Sequence, residues 1–295
     1  MGMKRLSILA VTAAAFAMSG VATPVMAQDS AKAPAKIEGH PNINGIWQSM
    51  GEANWNLEPH SAAPNPVAER QLGTIGAIPP GLGVVVGGKI PYKPEALERL
   101  KENRENLITH DPEAACYLPG IPRATYMPYP FQIIQGGNDD ILMVYEYANA
   151  NRVVHMGPVG IPPIDTWMGT SYGQWEGDTL VVTTLALGPG DVKLPGGELK
   201  PGVTWLDRSG NYLTNTASVV ERFTPRGPDH MDYEATIDDP SIYTKPWTIK
   251  MPLYRRVEQD AQLLEFRCVP FSERLLYGDL LEGEGSPAAG ANKKN

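Results

Sequence analysis

Hydrophobic and polar residues alternate with a period of two along most of the chain from residue 131 onward. The alternation is most regular in residues 247–253, WTIKMPL, where every second residue is apolar. This period places successive side chains on opposite faces of a strand, so the segment predicts a strand with one buried and one solvated face. Residues 180–182, LVV, are apolar on both faces and predict a central or covered strand.

Turn sequences rich in Gly, Asn, Asp and Pro separate the apolar segments, and Glu-Gly-Asp at 176–178 is typical of a hairpin. Most of these connections are short, which favours antiparallel pairing; the longer exceptions are 157–166 and 188–213. A sheet with many strands must close or stack to protect its edges. We therefore predict an all-β, mainly antiparallel fold, built as a single meander barrel or curved sheet. The predicted strands are 131–135, 141–147, 152–156, 167–175, 179–187, 218–224, 231–238, 247–255 and 263–268.

The N-terminal part of the chain has a different pattern. Residues 41–48 predict a turn and a first short strand, and the Pro- and Gly-rich residues 50–92 predict a long surface segment. Residues 93–109 predict one helix, because Pro94 suits the first helical position and one face is largely apolar. The prolines of the connector 111–130 are expected to prevent regular helix. The predicted helix face consists of Ala96, Leu97, Leu100, Arg104 and Leu107.

Residues 1–27 predict a signal peptide. Lys4 and Arg5 precede a mostly small and apolar stretch, and Val25-Met26-Ala27 forms a plausible cleavage site. The alternative is a membrane anchor, which the short apolar run and the lack of a lipobox cysteine disfavour. Residues 28–40 predict a disordered leader, 41–282 a single β-rich domain and 283–295 a disordered tail. The mature protein is expected to be periplasmic or secreted, without membrane insertion after signal cleavage.

The net charge of the chain narrows the classes of partner, and its two cysteines predict a disulfide. The formal net charge is −8 and becomes −10 once Lys4 and Arg5 are removed. An acidic chain without a basic run has no electrostatic footprint for nucleic acid, so we expect no nucleic-acid partner. Cys116 and Cys268 predict one disulfide in an oxidising compartment. Two buried thiols or metal ligands are the alternatives, although the cysteines lack the close spacing of a zinc site.

Several stretches of the sequence resemble a group of exported, β-rich bacterial proteins with no assigned activity. The resemblance covers residues 116–250 fairly continuously and implies export and a single β-rich domain; it supplies no substrate, cofactor or catalytic residue. This chain departs from the group at 186–203, where the group has a shorter connection. The matching stretches are NGIWQ, CYLPGIPR, YPFQIIQ, MVYEYANANRVVHM, WMGTSYGQWEGDTLVVTT, TWLDRSGN, VVERF and YEATIDDPSIYTKPWTI.

A looser resemblance is to lipocalin-like barrels, which hold a ligand in a cup. Gly45-Ile46-Trp47 is similar to the Gly-x-Trp of that group. The resemblance implies an antiparallel barrel with an internal ligand cavity.

Aromatic residues form the first candidate site. On the strand predicted at 167–175, Trp167 and Trp175 share a face with two glycines and a serine. Small residues between two indoles favour a hollow in which a flat or apolar ligand stacks. The alternative is an ordinary core in which the glycines make room for a neighbouring ring. The candidate ligand-binding residues are Trp167, Tyr172, Trp175, Trp247, Arg152 and Arg208.

Arg208 belongs to residues 204–211, TWLDRSGN, which predict a turn. Its guanidinium is a candidate for binding a ligand carboxylate, and the alternative is a local brace with Asp207.

Glu221 is the first of three candidate catalytic residues. It shares a strand face with Val219 and Phe223, so it points inward if Phe223 does. A buried carboxylate needs a partner or takes up a proton, which leaves a structural ion pair and a general base as open interpretations. The candidate partners are Arg152, Arg123 and Arg208.

Asp238 and His155 complete the predicted acid–base set. Asp238 precedes Asp239 and Pro240, an arrangement that suits either a pair of functional carboxylates or a turn at a strand end. Histidine is the commonest general base in proteins, so His155 is either a general base or a hydrogen-bonded structural residue.

The sequence contains no P-loop, dinucleotide-binding fingerprint, Cys-x-x-Cys or haem attachment motif, and no pair of histidines at metal-ligand spacing. We therefore expect neither a cofactor nor a metal.

The leading hypothesis is a binding module for a small apolar or aromatic compound, oriented by His155 or Arg152. The alternative is a cofactor-independent periplasmic hydrolase, lyase or isomerase, and a third hypothesis is a partner-binding envelope protein that uses residues 188–213.

Overall fold

Nine strands close into one barrel in a computed structural model that describes residues 36–64, 77–137, 139–200, 202–272 and 275. The predicted signal peptide, most of the predicted leader and the predicted tail lie outside these residues. The strands follow one another around the barrel in chain order, and β6 and β7 are neighbours like every other consecutive pair. They are β1 Gly45–Ser49, β2 Phe131–Ile134, β3 Ile141–Tyr145, β4 Asn151–Met156, β5 Thr170–Glu176, β6 Thr179–Leu185, β7 Ser218–Pro225, β8 His230–Asp238 and β9 Trp247–Arg255.

One pair of neighbouring strands, β4 and β5, is parallel, and the other eight pairs are antiparallel. An odd number of strands cannot alternate in direction all the way around a closed ring, so at least one parallel neighbour is required. A parallel pair needs a long crossover, and residues 157–169 supply it along the outside of the barrel. Pairing of β9 with β1 closes the ring.

The two ends of the barrel differ. Tight connections such as 135–140, 177–178 and 226–229 join strands at one end, and the long segments that precede β2 and β7 lie at the other. The short strand β1 pairs with only residues 253–255 of β9. Residues 84–86 pair with the uncovered part of that strand, where the Val86 N–H donates to the Thr248 carbonyl at 2.8 Å. The long N-terminal loop therefore protects an edge that β1 leaves open.

The predicted all-β barrel is confirmed, and eight of the nine predicted strands are present with small shifts at their ends. The alternation along β9 is confirmed because Trp247, Ile249, Met251 and Leu253 are all buried. The predicted strand at 263–268 is wrong. With β9 already paired to β1, residues 263–268 return along the outside instead, and Phe266 packs against Tyr129 and Tyr147.

The predicted disulfide between Cys116 and Cys268 is confirmed, with the two Cα atoms 5.8 Å apart. It joins the connector before β2 to the segment that follows the last strand of the barrel. Because 152 residues separate the two cysteines, the bond encloses most of the folded domain.

Short pairs of strands lie outside the barrel. Lys36–Ile37 pairs with His40–Pro41, so the last residues of the predicted disordered leader instead form a hairpin. Its His40 ring stacks on Trp175 with the centroids 4.8 Å apart, which ties the hairpin to β5. The insertion before β7 contains two further pairs, Val192–Lys193 with Leu199–Lys200 and Thr204–Trp205 with Tyr212–Leu213.

The predicted helix is present as a 3₁₀ turn, Pro94–Ala96, followed by α1 Leu97–Glu105 and α2 Leu107–His110. Its predicted buried face is only partly right, since Leu97 and Arg104 are exposed and Asn103 is buried instead. The Asn103 amide donates to the Gly210 carbonyl at 3.0 Å, so a polar contact sets the orientation of the helix.

The expectation that the connector contains no helix is wrong. Residues Arg123–Tyr126 form one turn, α3, because Pro122 precedes this turn and no proline interrupts it. All four residues are buried, and α3 packs on β1. None of the helices in the described ranges has the length and apolar composition that a membrane crossing requires.

Candidate functional site

Glu221 and Arg152 form an ion pair inside the barrel. Arg152 Nη1 lies 2.6 Å from Glu221 Oε2, and Nη2 donates to Oε1 at 3.2 Å. The Tyr233 hydroxyl donates to the same Oε1 at 2.8 Å. The Glu221 side chain is fully buried and that of Arg152 is 2% exposed. The inward orientation predicted for Glu221 is therefore confirmed, with Arg152 as its partner among the three arginines considered.

Arg152 and its neighbour Tyr233 both keep the protons that they donate to Glu221. Burial opposes the charge on Arg152, but the facing Glu221 carboxylate raises the pKa of the guanidinium above its usual value. Burial and the same carboxylate raise the pKa of Tyr233 well above that of an exposed tyrosine, so its hydroxyl remains a donor. The geometry favours the structural ion pair over a general base.

The hollow predicted between Trp167 and Trp175 is wrong. A Cβ atom added at Gly173 would lie 2.6 Å from Val154 Cγ1 and 2.7 Å from Met156 Sδ. Those side chains belong to β4, which the parallel pairing places directly beside β5. Trp167 lies in the turn before β5 rather than on the strand. The alternative interpretation, in which the glycines accommodate neighbouring side chains, describes the barrel interior.

Residues 169–173, GTSYG, have the Gly-x-Ser-x-Gly spacing of a hydrolase nucleophile elbow. They lie at the start of β5 rather than in a strand-to-helix turn. Ser171 is buried and forms a hydrogen bond of 2.9 Å with Thr184, so its hydroxyl belongs to the interior network.

The predicted aromatic residues occupy four different places. The Trp167 indole stacks on Tyr117 with centroids 4.9 Å apart and an interplanar angle of 10°. Trp175 stacks on the hairpin at the start of the domain, Tyr172 lies beside His155 on the outer face of the parallel pair, and Trp247 packs edge-on against Tyr243. They do not line one common cavity.

The three predicted acid–base residues are also apart. Glu221 points into the barrel, His155 is exposed on the outside of β4, and Asp238 is exposed at the end of β8. Because Glu221 and His155 lie on opposite faces of the barrel wall, the predicted common acid–base site is not formed.

At the end of β8 it is Asp239, not Asp238, that makes the local hydrogen bonds. Its carboxylate accepts hydrogen bonds from Thr214, Thr216 and Ser241 at 2.6 to 2.9 Å. Burial alone would raise the pKa of Asp239, but these bonds outweigh it and lower the pKa below the usual value. The strand-end turn is the interpretation that the contacts support.

His155 has an oriented imidazole ring. Its Nδ1 lies 2.8 Å from Asp140 Oδ2, and Oδ1 of the same carboxylate accepts the backbone N–H of Met156 at 2.9 Å. The Met156 N–H and then His155 lower the pKa of Asp140, so the carboxylate is the acceptor in both bonds. This assigns the proton of the neutral ring to Nδ1 and leaves Nε2 as an acceptor.

A cleft of about 560 Å³ lies beside His155, between β4, the end of the crossover and the start of the insertion. We call it the crossover cleft. Its size is typical of a small-molecule site, for which about 300–1,000 Å³ is usual. Three of the predicted residues, Trp167, Arg152 and His155, line it, although the Arg152 side chain itself points into the barrel. Its other lining residues are Leu118, Asn151, Val153, Asp165, Thr166, Met168, Gly169, Thr170, Gly188 and Gly190.

Two other clefts contain one predicted residue each. A cleft of about 230 Å³ beside the disulfide includes Arg208, whose guanidinium lies over the Trp55 ring at 4.7 Å and near Glu113. Asp207 uses its carboxylate to accept the N–H groups of Leu57, Ser209 and Asn211, which confirms a turn at this position. A cleft of about 780 Å³ includes Trp247.

No group of three or more potential metal ligands is found in the part of the chain that the structure describes.

Comparison with protein-family models, curated proteins and solved structures finds no match to this chain. The function must therefore be argued from the clefts themselves.

Asp140 and Tyr117, which hold the His155 and Trp167 rings beside the crossover cleft, were not among the predicted site residues. Asp140 follows from the hairpin register, since Ile141 pairs with Val154 and the preceding Asp140 comes next to His155. Tyr117 lies in the irregular connector, where no periodicity relates it to Trp167. The contact of Asp140 with His155 could therefore be predicted from the sequence once the hairpin register was known, and the contact of Tyr117 with Trp167 could not.

We predict that Glu221→Gln lowers the free energy of unfolding by about 3–5 kcal/mol, because it leaves the Arg152 charge buried without a counter-ion. Chemical denaturation of the folded domain measures the change. The matched control is Glu234→Gln, which breaks the exposed pair of Glu234 with Lys250, 2.8 Å apart, and should cost less than about 1 kcal/mol. Equal losses in the two variants would contradict a special role for the buried pair.

Proposed function

We propose that this barrel protein is exported and binds a small aromatic compound in the crossover cleft. The observation that carries the proposal is the pairing of a fixed indole, Trp167, with an oriented histidine, His155, in one cleft of ligand size. The binding site lies on the outside of the barrel, because the interior is filled by the ion pair and by apolar side chains.

The lining of the cleft supports an aromatic or apolar ligand. Tyr117 holds the Trp167 ring in place by stacking, which prepares a flat surface before any ligand arrives. Leu118, Val153 and Met168 add apolar contacts. The crossover also exposes three large apolar side chains close to this wall in sequence, Val159, Ile161 and Ile164.

The polar groups support a ligand that carries a hydroxyl. With its Nδ1 proton bonded to Asp140, a neutral His155 offers Nε2 as an acceptor. Thr166 and Thr170 line the cleft and carry hydroxyl groups of their own. A phenol presents a ring for Trp167 and a donor for His155, so we take phenols as the ligand class.

We predict that Trp167→Ala weakens phenol binding at least tenfold, equivalent to about 1.4 kcal/mol, because the stacking surface is lost. Calorimetric titration with phenol, 4-methylphenol and 2-naphthol measures the affinity. Trp175→Ala is the matched control, since it removes a partly buried indole from the same part of the chain outside the cleft and should bind as the wild type does. Failure of the wild type to bind any of these phenols, or equal affinities in both variants, would refute the site.

Export is supported by the charged and apolar pattern of residues 1–27 and by the Cys116–Cys268 disulfide, which is typical of oxidising compartments. We expect the full-length chain, expressed in a bacterial host, to accumulate in the periplasm with Gln28 as its N-terminus. Intact-mass measurement should show a chain without free thiols. An uncleaved chain retained in the cytoplasm would contradict export, and a variant with Leu6→Arg and Ile8→Arg provides a signal-deficient control.

A second candidate function, hydrolysis of aryl esters, is favoured by the Asp140–His155 contact. A histidine oriented in this way can take a proton from a water that attacks an ester carbonyl and return it to the leaving phenolate. We expect cleavage of phenyl acetate by the wild type to fall to the buffer rate in His155→Gln, with phenol affinity reduced only moderately. Wild-type cleavage no faster than buffer would restrict the cleft to binding.

A further inference from the structure

The cleft of about 780 Å³ at the start of β9 has no role in the proposal above. We call it the Trp247 cleft, and we propose that it binds an aryl carboxylate. Three parts of the fold form it: the loop 86–92, the exposed side of α1 and the turn that leads into β9. The proposal is independent of phenol binding in the crossover cleft.

The rim of the Trp247 cleft is positively charged in an acidic protein. Lys89, Arg104 and Lys245 are exposed and line it, although the chain as a whole has a net charge of −8. Among the described residues, neither Lys89 nor Lys245 forms an ion pair with a carboxylate. Three cations around one concave surface attract an anionic group, and lysine ammonium groups do so as adaptable point charges.

Within the described part of the chain, the one carboxylate in the lining, Glu58, forms no ion pair with these cations, and three positive charges outnumber its single negative charge. Glu58 Oε1 accepts the backbone N–H of Ile90 at 2.7 Å, which commits that oxygen to holding the loop. Arg104 is anchored in a similar way, since its Nε donates to the Ser209 carbonyl at 3.3 Å. This bond orients the Arg104 side chain, so its other two guanidinium nitrogens are held in position before a ligand binds.

The wall of the cleft is aromatic and apolar. Trp247 is buried in the wall, where its ring meets Tyr243 edge-on, with centroids 5.5 Å apart, and Tyr243 in turn contacts Tyr92 at 5.0 Å. The Tyr92 hydroxyl is held by Asn211 and by the Tyr212 N–H, so Tyr92 contributes its ring rather than its hydroxyl. Leu97 and Leu100 from α1 complete the apolar lining. A ligand that fits both the wall and the rim is an aromatic ring with a negative charge.

The Trp247 indole contributes a hydrogen-bond donor to the proposed site. The side chain is 5% exposed, and its buried Nε1–H has no acceptor among the residues that the structure describes. Most buried donors in proteins are paired, so we assign a ligand oxygen as the acceptor of this N–H. A carboxylate supplies such an oxygen, whereas a neutral hydrocarbon does not.

Titration with 2-naphthoate tests the proposal. We expect the wild type to bind it with an affinity that falls as sodium chloride increases, and Lys89→Glu/Lys245→Glu to bind at least thirtyfold more weakly. Both lysines are exposed, so the double variant should keep the wild-type thermal midpoint. Trp247→Phe keeps a ring without the N–H donor and should weaken 2-naphthoate binding about fivefold.

Testing each variant with the ligand of the other cleft shows whether the two sites are independent. Trp167→Ala should leave 2-naphthoate binding unchanged, and the double lysine variant should leave binding of phenol unchanged. The proposal is overturned if the wild type does not bind 2-naphthoate, if the double lysine variant binds it as tightly as the wild type, or if Trp167→Ala abolishes the binding. Equal affinity for octanoate would overturn the aromatic part of the proposal, and competition by millimolar inorganic phosphate would reassign the rim to a phosphate ligand.

Discussion

Closure of a barrel with an odd number of strands is the constraint on which this structure depends. Nine strands cannot alternate in direction around a ring, so one neighbouring pair must be parallel, and here it is β4 with β5. That pair requires a connection which crosses the outside of the barrel from one end to the other. The crossover ends at Trp167, beside the outward-facing residues of β4. The crossover cleft is thus a consequence of the closure, because an even-numbered meander would have needed no such segment.

Alternate residues of β4 face two different environments, the packed interior of the barrel and the crossover cleft. Arg152 and Val154 point inward, where the first compensates the buried charge of Glu221 and the second fills the space left by Gly173. Val153 and His155 point outward into the crossover cleft. A period of two therefore assigns successive residues of one strand to two different environments. Binding at the proposed outer site would need no opening of the barrel, so the ion pair would stay buried.

Much of the barrel could be predicted from periodicity and turn composition. Alternation along β9 and β7 correctly placed Ile249 and Glu221 inside, because each strand carries this information locally. The hollow beside Gly173 could not be judged in this way, since the side chains that fill it come from β4 through a non-local parallel pairing. The strand expected at 263–268 failed for a related reason: its composition is compatible with β-structure, but the barrel had already been closed by β1.

The two clefts that carry different polar groups both lie on the outer surface of the barrel, and loops from its loop-rich end help to line them. The insertion supplies Gly188 and Gly190 to the crossover cleft, while the loop before α1 supplies Lys89 to the Trp247 cleft. Both clefts combine a held indole with polar groups, yet the crossover cleft presents an imidazole bound to Asp140 and the Trp247 cleft presents exposed cations. The two proposed sites would therefore distinguish ligands of related shape but different charge, since each cleft would desolvate a different polar group. The barrel wall that carries both clefts is backed by a filled interior, and close packing of this kind keeps it rigid.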